Sequence, residues 1–436
     1  MRRPREVLAR GALRSRNFRL LAGCDVISGT GNAVAFVAIP FAVLAIGGSA
    51  ADVGYVATAA MIPMIVFMLL GGVAGDRFPR HKVIVIANSA QALAQGVAAG
   101  LVFAHQAHVW ELLVLAAVRG TGLGFYFPAA QGLLPQTVPE EDRAQANAIS
   151  RIGRNSSGIA GAALGGLLVG AAGPAWGLAV DAASFAAAAA LRAGMRFPPM
   201  PPDPDQESTL HQLREGWREF AARRWLWAIV GEFTIMTAVI AGTIDVLGPV
   251  VADRQLGGAS AWGVILAGYG AGAVIGGLIM VRLRPQRMLA VASAAAGVFA
   301  ALLFALAVPL PAAATTGVAV IVGVTSEIFA VNWVTTMQQE IPARLMSRLS
   351  AYDALGSFAL APVGVAAAGP IALAFGTPAT LTAGGVIIIA LTFAVLGVPE
   401  VRSMRRRPAA DRPTATPDQE SEPAAPGATP LPAEPG

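Results

Sequence analysis

Long apolar runs separated by short polar breaks dominate the chain from residue 18 to residue 398. A helix needs about 20 apolar residues to cross a hydrocarbon core about 30 Å thick. Runs of that kind lie near 18–46, 52–75, 82–104, 110–134, 145–172 and 175–195, and again near 226–250, 260–281, 288–308, 313–337, 350–375 and 378–398. The pattern predicts twelve transmembrane helices. Gly173-Pro174 and Thr377-Pro378 mark tight turns between the closest neighbours.

Two stretches break the pattern. Residues 197–212 are polar and proline-rich and divide six spans from six. Within 208–224, Leu210, Leu213, Trp217 and Phe220 recur at helical spacing among Arg214, Glu215, Arg218 and Glu219, which predicts an amphipathic helix on the membrane surface. Residues 408–436 are rich in Pro, Ala, Glu and Thr without an apolar face, so a disordered tail is expected. The expected organisation is a basic amino terminus (1–17), a six-helix bundle (18–196), a linker (197–224), a second six-helix bundle (225–399) and a tail (400–436).

Composition agrees with lipid as the main solvent. Charged residues make up 13% of the chain and hydrophobic residues 55%, against about a quarter charged in soluble domains. The formal charge of +5 comes from arginine, with Lys82 the only lysine. The cations sit in short breaks on one side: Arg2 to Arg19, then Arg77, Arg80, Lys82 and Arg143. Arg192 to Arg224, Arg282 to Arg287, Arg344, Arg348 and Arg402 to Arg407 follow. The breaks on the other side hold essentially only Arg254. This asymmetry predicts both termini in the cytoplasm. It also explains the basic balance without nucleic acid. Cys24, the single cysteine, excludes a disulfide framework and a multi-cysteine metal site. His105 and His108 lack a third ligand, so no metal and no cofactor is expected. No Gly-Lys-Ser/Thr sequence is present to cradle a nucleotide phosphate, nor a His-Glu-x-x-His or Gly-x-Ser-x-Gly enzyme signature.

The halves repeat. Gly71-Gly72 followed by Arg77, Arg80 and Lys82 matches Gly276-Gly277 followed by Arg282, Arg284 and Arg287. Gln136-Thr137-Val138-Pro139 after the fourth run matches Gln339-Glu340-Ile341-Pro342 after the tenth. Two related six-helix units joined by a long linker are a common plan of secondary transporters, with the substrate site at the repeat interface.

At these residues the chain resembles the major facilitator superfamily. Gly72-x-x-x-Asp76-Arg77-x-x-Arg80-x-Lys82 looks like its loop 2–3 signature, with Pro79 where most members have glycine. Pro128-Ala129, Leu134-Pro135, Ala146-Asn147-Ala148, Asp181-Ala182-Ala183-Ser184-Phe185 and Leu213-Arg214-Glu215-Gly216 resemble the branch containing macrolide-efflux and enterobactin-exporter proteins. The resemblance implies an all-α membrane fold, with two six-helix pseudo-repeats around a central cavity lined by spans one, four, seven and ten. It implies a gating role for Gly72, Asp76, Arg77 and Arg80. Asn32 stands where many branch members have aspartate. Gly161-Ala162-Ala163-Leu164-Gly165-Gly166 is similar to an antiporter motif but lacks its proline.

Ionisable groups inside a membrane cost several kcal/mol and mark function. The candidates for proton coupling or cavity lining are Asp25, Asn32, Arg119, Glu232 and Glu327. Asp25, Ser28 and Asn32 share one helix face. Glu327 near mid-span is the foremost proton carrier. Asp245 is expected near the outer end in solvent, and Asp181 in a helix packed away from the cavity. Asp353 is expected to open span eleven, and Arg151 and Arg154 to snorkel at the inner end of span five. Phe36, Trp333 and Met337 are candidate apolar contacts. The expected function is secondary transport, a proton-coupled exporter of amphipathic small molecules such as antibiotics. A siderophore or metabolite exporter, and a membrane sensor or scaffold without transport, stay open. The expected partners are a small amphipathic substrate, protons and the lipid bilayer, with the chain acting as a monomer.

Overall fold

The computed structural model describes residues 11–195, 217–283, 285–308 and 310–406. Twelve helices among these are long and apolar enough to cross a membrane. They are α1 (Arg16–Ala45), α2 (Ala50–Arg77), α3 (Arg80–Phe103), α4 (Val109–Leu133), α5 (Arg143–Ala172) and α6 (Pro174–Ala193). After the linker come α7 (Arg224–Leu256), α8 (Ala259–Arg282), α9 (Met288–Ala307), α10 (Ala312–Glu340), α11 (Tyr352–Phe375) and α12 (Thr377–Leu396). Helices suit this solvent because they satisfy their own backbone groups without water.

The helix pairing carries the sequence repeat into three dimensions. In the first half α2 packs on α4, α1 on α5 and α6, and α3 on α4 and α6. Adding six to each label gives the second half: α8 on α10, α7 on α11 and α12, and α9 on α10 and α12. The two glycines matched in the sequence occupy matching positions. A Cβ at Gly71 would lie 2.8 Å from the Gly124 carbonyl oxygen on α4, and one at Gly276 would lie 2.5 Å from that of Val324 on α10. Only a residue without a Cβ lets these backbones approach.

The halves meet mainly through two helix pairs, α5 with α8 and α2 with α11, with lesser contacts of α7 and α8 on α1 and of α7 on α2. The closest approaches lie toward the carboxyl end of α5 and the amino end of α2. A Cβ at Gly166 would sit 2.6 Å from the Gly263 Cα, and one at Gly54 would sit 2.6 Å from the Val365 carbonyl oxygen. At the opposite ends of these helices no described glycine approaches the other half. There Leu278, Val281, Leu355 and Phe358 are exposed. Exposed Ile86, Leu93 and Phe393 belong to the apolar girdle expected of a lipid-facing surface.

Three helices depart from regular geometry. The α7 span extends to Leu256, beyond the expected 250, and widens into π-helical turns over Ala241–Leu247 and Ala252–Leu256. The α11 span continues a helix that begins at Ala343, breaks after Phe358 and resumes at Ala361 with Pro362 in its first turn. Asp353 therefore lies inside that helix and does not open it. It accepts from Trp333 Nε1 at 3.1 Å. α9 is interrupted at Val298 and Phe299. The carboxyl end of the linker is helical over 217–221, where Trp217 and Phe220 gather against Tyr352. Leu210, Leu213 and the tail lie outside the described residues.

A two-lobed central cavity

Two adjoining cavities lie between the halves, of about 1110 Å³ and 580 Å³. The larger faces the second half and the smaller the first. They share a wall formed by Ala33 and Phe36 of α1, Arg154 and Gly158 of α5, and Asp245 of α7. A chamber of this size, largely apolar with few charges, is typical of small-molecule sites.

The larger lobe is aromatic. Phe233 on α7 stacks on Phe329 of α10 with centroids 4.2 Å apart, and Tyr269 and Phe299 complete the group. Glu327 lies in the same wall, two residues before Phe329 and against the small surface of Gly276 and Gly277. Phe36 lines both lobes. Trp333 and Met337 do not. They are buried in a separate cluster with Trp225 and Leu226, where Trp333 meets Trp225 of α7 edge-on.

The smaller lobe is organised by Arg119. Its Nη2 donates to Asn32 Oδ1 across the α1–α4 contact. Its Nε lies 3.8 Å from Asp181 Oδ2, and that same oxygen accepts from Gln95 Nε2 at 2.6 Å. Asn32, Gln95 and Arg119 line the lobe, while Asp181 lies fully buried behind them. A guanidinium suits this place because its planar fork of donors serves two partners at once.

The remaining candidates are scattered. Asp25 lines neither lobe. It is ion-paired to Arg192 Nη2 and accepts from Tyr126 Oη at 3.0 Å. Arg192, counted among the cations outside the membrane, is a fully buried residue of α6 whose guanidinium also lies 5.3 Å from the Tyr126 ring centre. Glu232 likewise lines neither lobe. Its residue position on α7 faces α9, where Ser293 Oγ lies 3.5 Å from Glu232 Oε2, so it points into the second bundle. Arg80 Nη1 donates to the Gly132 carbonyl at 2.7 Å and so ties α3 to the carboxyl end of α4, a favourable end for a cation. The side chains of Gly72, Asp76 and Arg77 lie outside those described, as do those of Arg344 and Arg348.

A family model described as Major Facilitator Superfamily matches residues 21–364. The chain belongs to the Major Facilitator Superfamily. It is a multi-pass membrane transporter. The multidrug efflux pump Tap of Mycolicibacterium fortuitum is 26% identical over 399 residues, covering 88% of this chain and 96% of that protein. The enterobactin exporter EntS of Escherichia coli O1:K1 is 28% identical over 252 residues, covering 56% and 58%. Among solved structures, the nucleoside transporter NupG matches with a TM-score of 0.69 at 12% identity, over 87% of this chain and 98% of that one. A bacterial homologue of the human lysosomal transporter Spinster, solved inward-facing and unoccupied, matches with a TM-score of 0.62 at 17% identity, over 90% and 98%. At such identities the structures share the fold alone.

Within this superfamily member, three polar residues at the cavity escape a reading made span by span. Arg154 looks like a snorkelling cation, yet it lines both lobes, as does Gly158 one turn further along α5. Asp245 looks like an outer-end, solvated acid. The π-helical turns instead direct it to the wall common to both lobes, with no hydrogen-bond or ion-pair partner among the described residues. Gln95 carries no charge to attract notice. Its only signal is its position at helical spacing from Asn88 and Gln91 within an apolar span.

Proposed function

We propose that this transporter is a proton-coupled exporter of amphipathic small molecules working by alternating access. The observation that supports it most is the two-lobed chamber: an aromatic, adaptable lobe with Glu327 in its wall adjoins a second, also largely apolar lobe that presents Arg119, Asn32 and Gln95. An amphipathic molecule places its apolar body on the aromatic wall and its polar part toward these few polar groups. Full-length similarity to a multidrug efflux pump points the same way.

With both termini cytoplasmic, as the arginine distribution implies, the closed end of the chamber is external and the open end faces the cytoplasm. The seals at Gly166–Gly263 and Gly54–Val365 then form an external gate. The halves rock about them, and the seals release as the inner ends close. Glu327 is the foremost candidate to exchange a proton for substrate, because it lies in the substrate lobe without a hydrogen-bond or ion-pair partner among the described residues. A siderophore-exporting variant of the same reading is favoured by the similarity to the enterobactin exporter.

The test is accumulation of ethidium and of a catecholate siderophore in cells lacking their own pumps, with and without a protonophore. Expression is expected to lower ethidium accumulation, and the protonophore to abolish the effect. Siderophore efflux without ethidium efflux selects the second reading. No movement of either, or efflux indifferent to the protonophore, overturns the corresponding part of the proposal.

A further inference from the structure

The interior of the first bundle holds a polar assembly that the chamber does not account for. α3 presents Asn88, Gln91 and Gln95 on one face, all buried. This spacing of three and four residues keeps a single helix face. The face is turned to α4 and α6. A Cβ at Gly122 of α4 would lie 2.6 Å from Gln91 Cγ, and Gln95 donates to Asp181. α1 closes the group, since a Cβ at Gly31 would lie 3.1 Å from Asp181 Oδ1.

An ion pair stands at each end. Arg119 with Asp181 lies beside the smaller lobe, and Arg192 with Asp25 lies toward the inner end. About three turns of α6, roughly 16 Å, separate Asp181 from Arg192. Only the ends reach accessible space: Asp25 and Arg119 side chains are 15% and 11% exposed, while Asp181 and Arg192 are 0%.

At the ends and on α3, buried polar atoms lack protein partners among the described residues. They are both amide atoms of Asn88, Oε1 of Gln91, Oδ1 of Asp181, and Nε and Nη1 of Arg192. Buried polar groups in proteins are satisfied by protein or by bound water, and a bound water typically makes about three hydrogen bonds. One such atom can be an accident of packing. Several of them on facing helices of one bundle, α3 and α6, make a built site. The second bundle holds a smaller polar group: the described buried face of α9, the equivalent of α3, carries Ser293 alone among apolar residues, and it meets Glu232, whose Oε1 lacks a partner among the described residues, as does Thr392 Oγ1.

We propose that this interior binds a file of water molecules that conducts protons between Asp181 and Asp25, by a route separate from the substrate chamber. The conduction rests on the proton-coupled reading above; the water file does not. A protonated Asp181 carboxyl gives its proton to the adjoining water, which passes one of its own onward. The last water protonates Asp25, which releases the proton to the inner solvent. Each hop breaks one O–H bond and forms another, so no co-reactant is needed. Asp181 faces Arg119 and Gln95, and Asp25 faces Arg192, Tyr126 and, at longer range, Arg154.

Cys24 supplies a native reporter. It is fully buried, neighbours Asp25, and directs Sγ to the Ala188 carbonyl on α6 at 3.7 Å. Met288, equally buried in the second bundle and outside this assembly, supplies a control for burial. X-ray radiolytic labelling of the full chain in nanodiscs in ¹⁸O water is expected to oxidise Cys24 and to spare Met288. Asn88→Leu with Gln91→Leu should cut Cys24 labelling about tenfold, the loss that removing 1.4 kcal/mol of water binding represents, whereas Asn88→Ser with Gln91→Asn should keep it. Cys24 as unlabelled as Met288 in the native protein, a comparison that needs no variant to fold, overturns the file. Labelling unchanged by the leucines also overturns it. Ethidium efflux then decides conduction: a dried leucine variant whose protonophore-sensitive efflux equals that of the native protein overturns the proton route. Native efflux indifferent to the protonophore overturns the coupling reading and the conduction together, and leaves the file to the labelling result.

Discussion

Arg119 serves Asn32 and Asp181 simultaneously, and that double duty makes it hard to replace. Lysine keeps the charge but not the fork. Arg119→Lys is expected to fold and to lose most ethidium efflux, measured as accumulation against the native protein at equal expression. Glu327→Gln should likewise abolish protonophore-sensitive efflux while leaving ethidium binding by the purified protein within about threefold, since an isosteric amide keeps the shape of the lobe; unchanged efflux in both Glu327→Gln and Asp25→Asn removes the acids' role in coupling. The Arg192–Asp25 pair makes a different demand. Breaking a buried pair from one side leaves an uncompensated charge and costs about 3–5 kcal/mol, while replacing both partners with apolar residues is often neutral. Arg192→Met should therefore lower the melting temperature in detergent far more than Arg192→Met with Asp25→Leu. Equal losses in the single and double variants would show that the pair contributes little. Asp25, Arg119 and Glu327 were legible in the sequence because charge inside an apolar span is conspicuous, whereas Arg192, at the end of its span, read as a loop cation. The pairing was not legible, because Asp25 meets Arg192 across 167 residues and only the fold sets that distance.

At the scale of helices, glycine does two separate jobs. Gly120 packs α4 on the Ala60 carbonyl of α2 inside one bundle, and Gly166 packs α5 on α8 across the gate. Side chains inserted at well-packed contacts cost about 1–3 kcal/mol. Gly120→Val is expected to reduce the melting temperature and the yield of folded protein. Gly166→Val should spare folding and instead hold the external ends apart, lengthening the distance between spin labels on the outer ends of α5 and α8 as read by pulsed electron resonance. A folded Gly166→Val protein with native distances would dismiss the gate. The span limits themselves were well marked by apolar runs and turn residues. The π-helical turns of α7 were not, since their sequence Ala241–Leu247 has no feature that separates it from an ordinary apolar helix. The widened segment packs closely on α11, where a Cβ at Gly242 would lie 2.5 Å from the Gly364 carbonyl.

For the whole molecule, the lopsided arginines predict orientation. In a Cys24→Ser background, His105→Cys should react with a membrane-impermeant thiol reagent in intact cells and Arg405→Cys should react only after permeabilisation. The reverse pattern would turn the proposed exporter around. Twelve spans, two related halves and membership of a transporter superfamily follow from the sequence alone, because hydropathy, glycine spacing and loop charge act locally and leave periodic traces. Which polar residue faces the chamber, which faces the bundle interior and which has a partner depended on the tertiary structure. Glu232 and Glu327 are both acids within apolar spans, yet one is turned to Ser293 and the other to the aromatic lobe. Helix rotation makes that choice, and rotation is fixed by the packing of neighbouring helices.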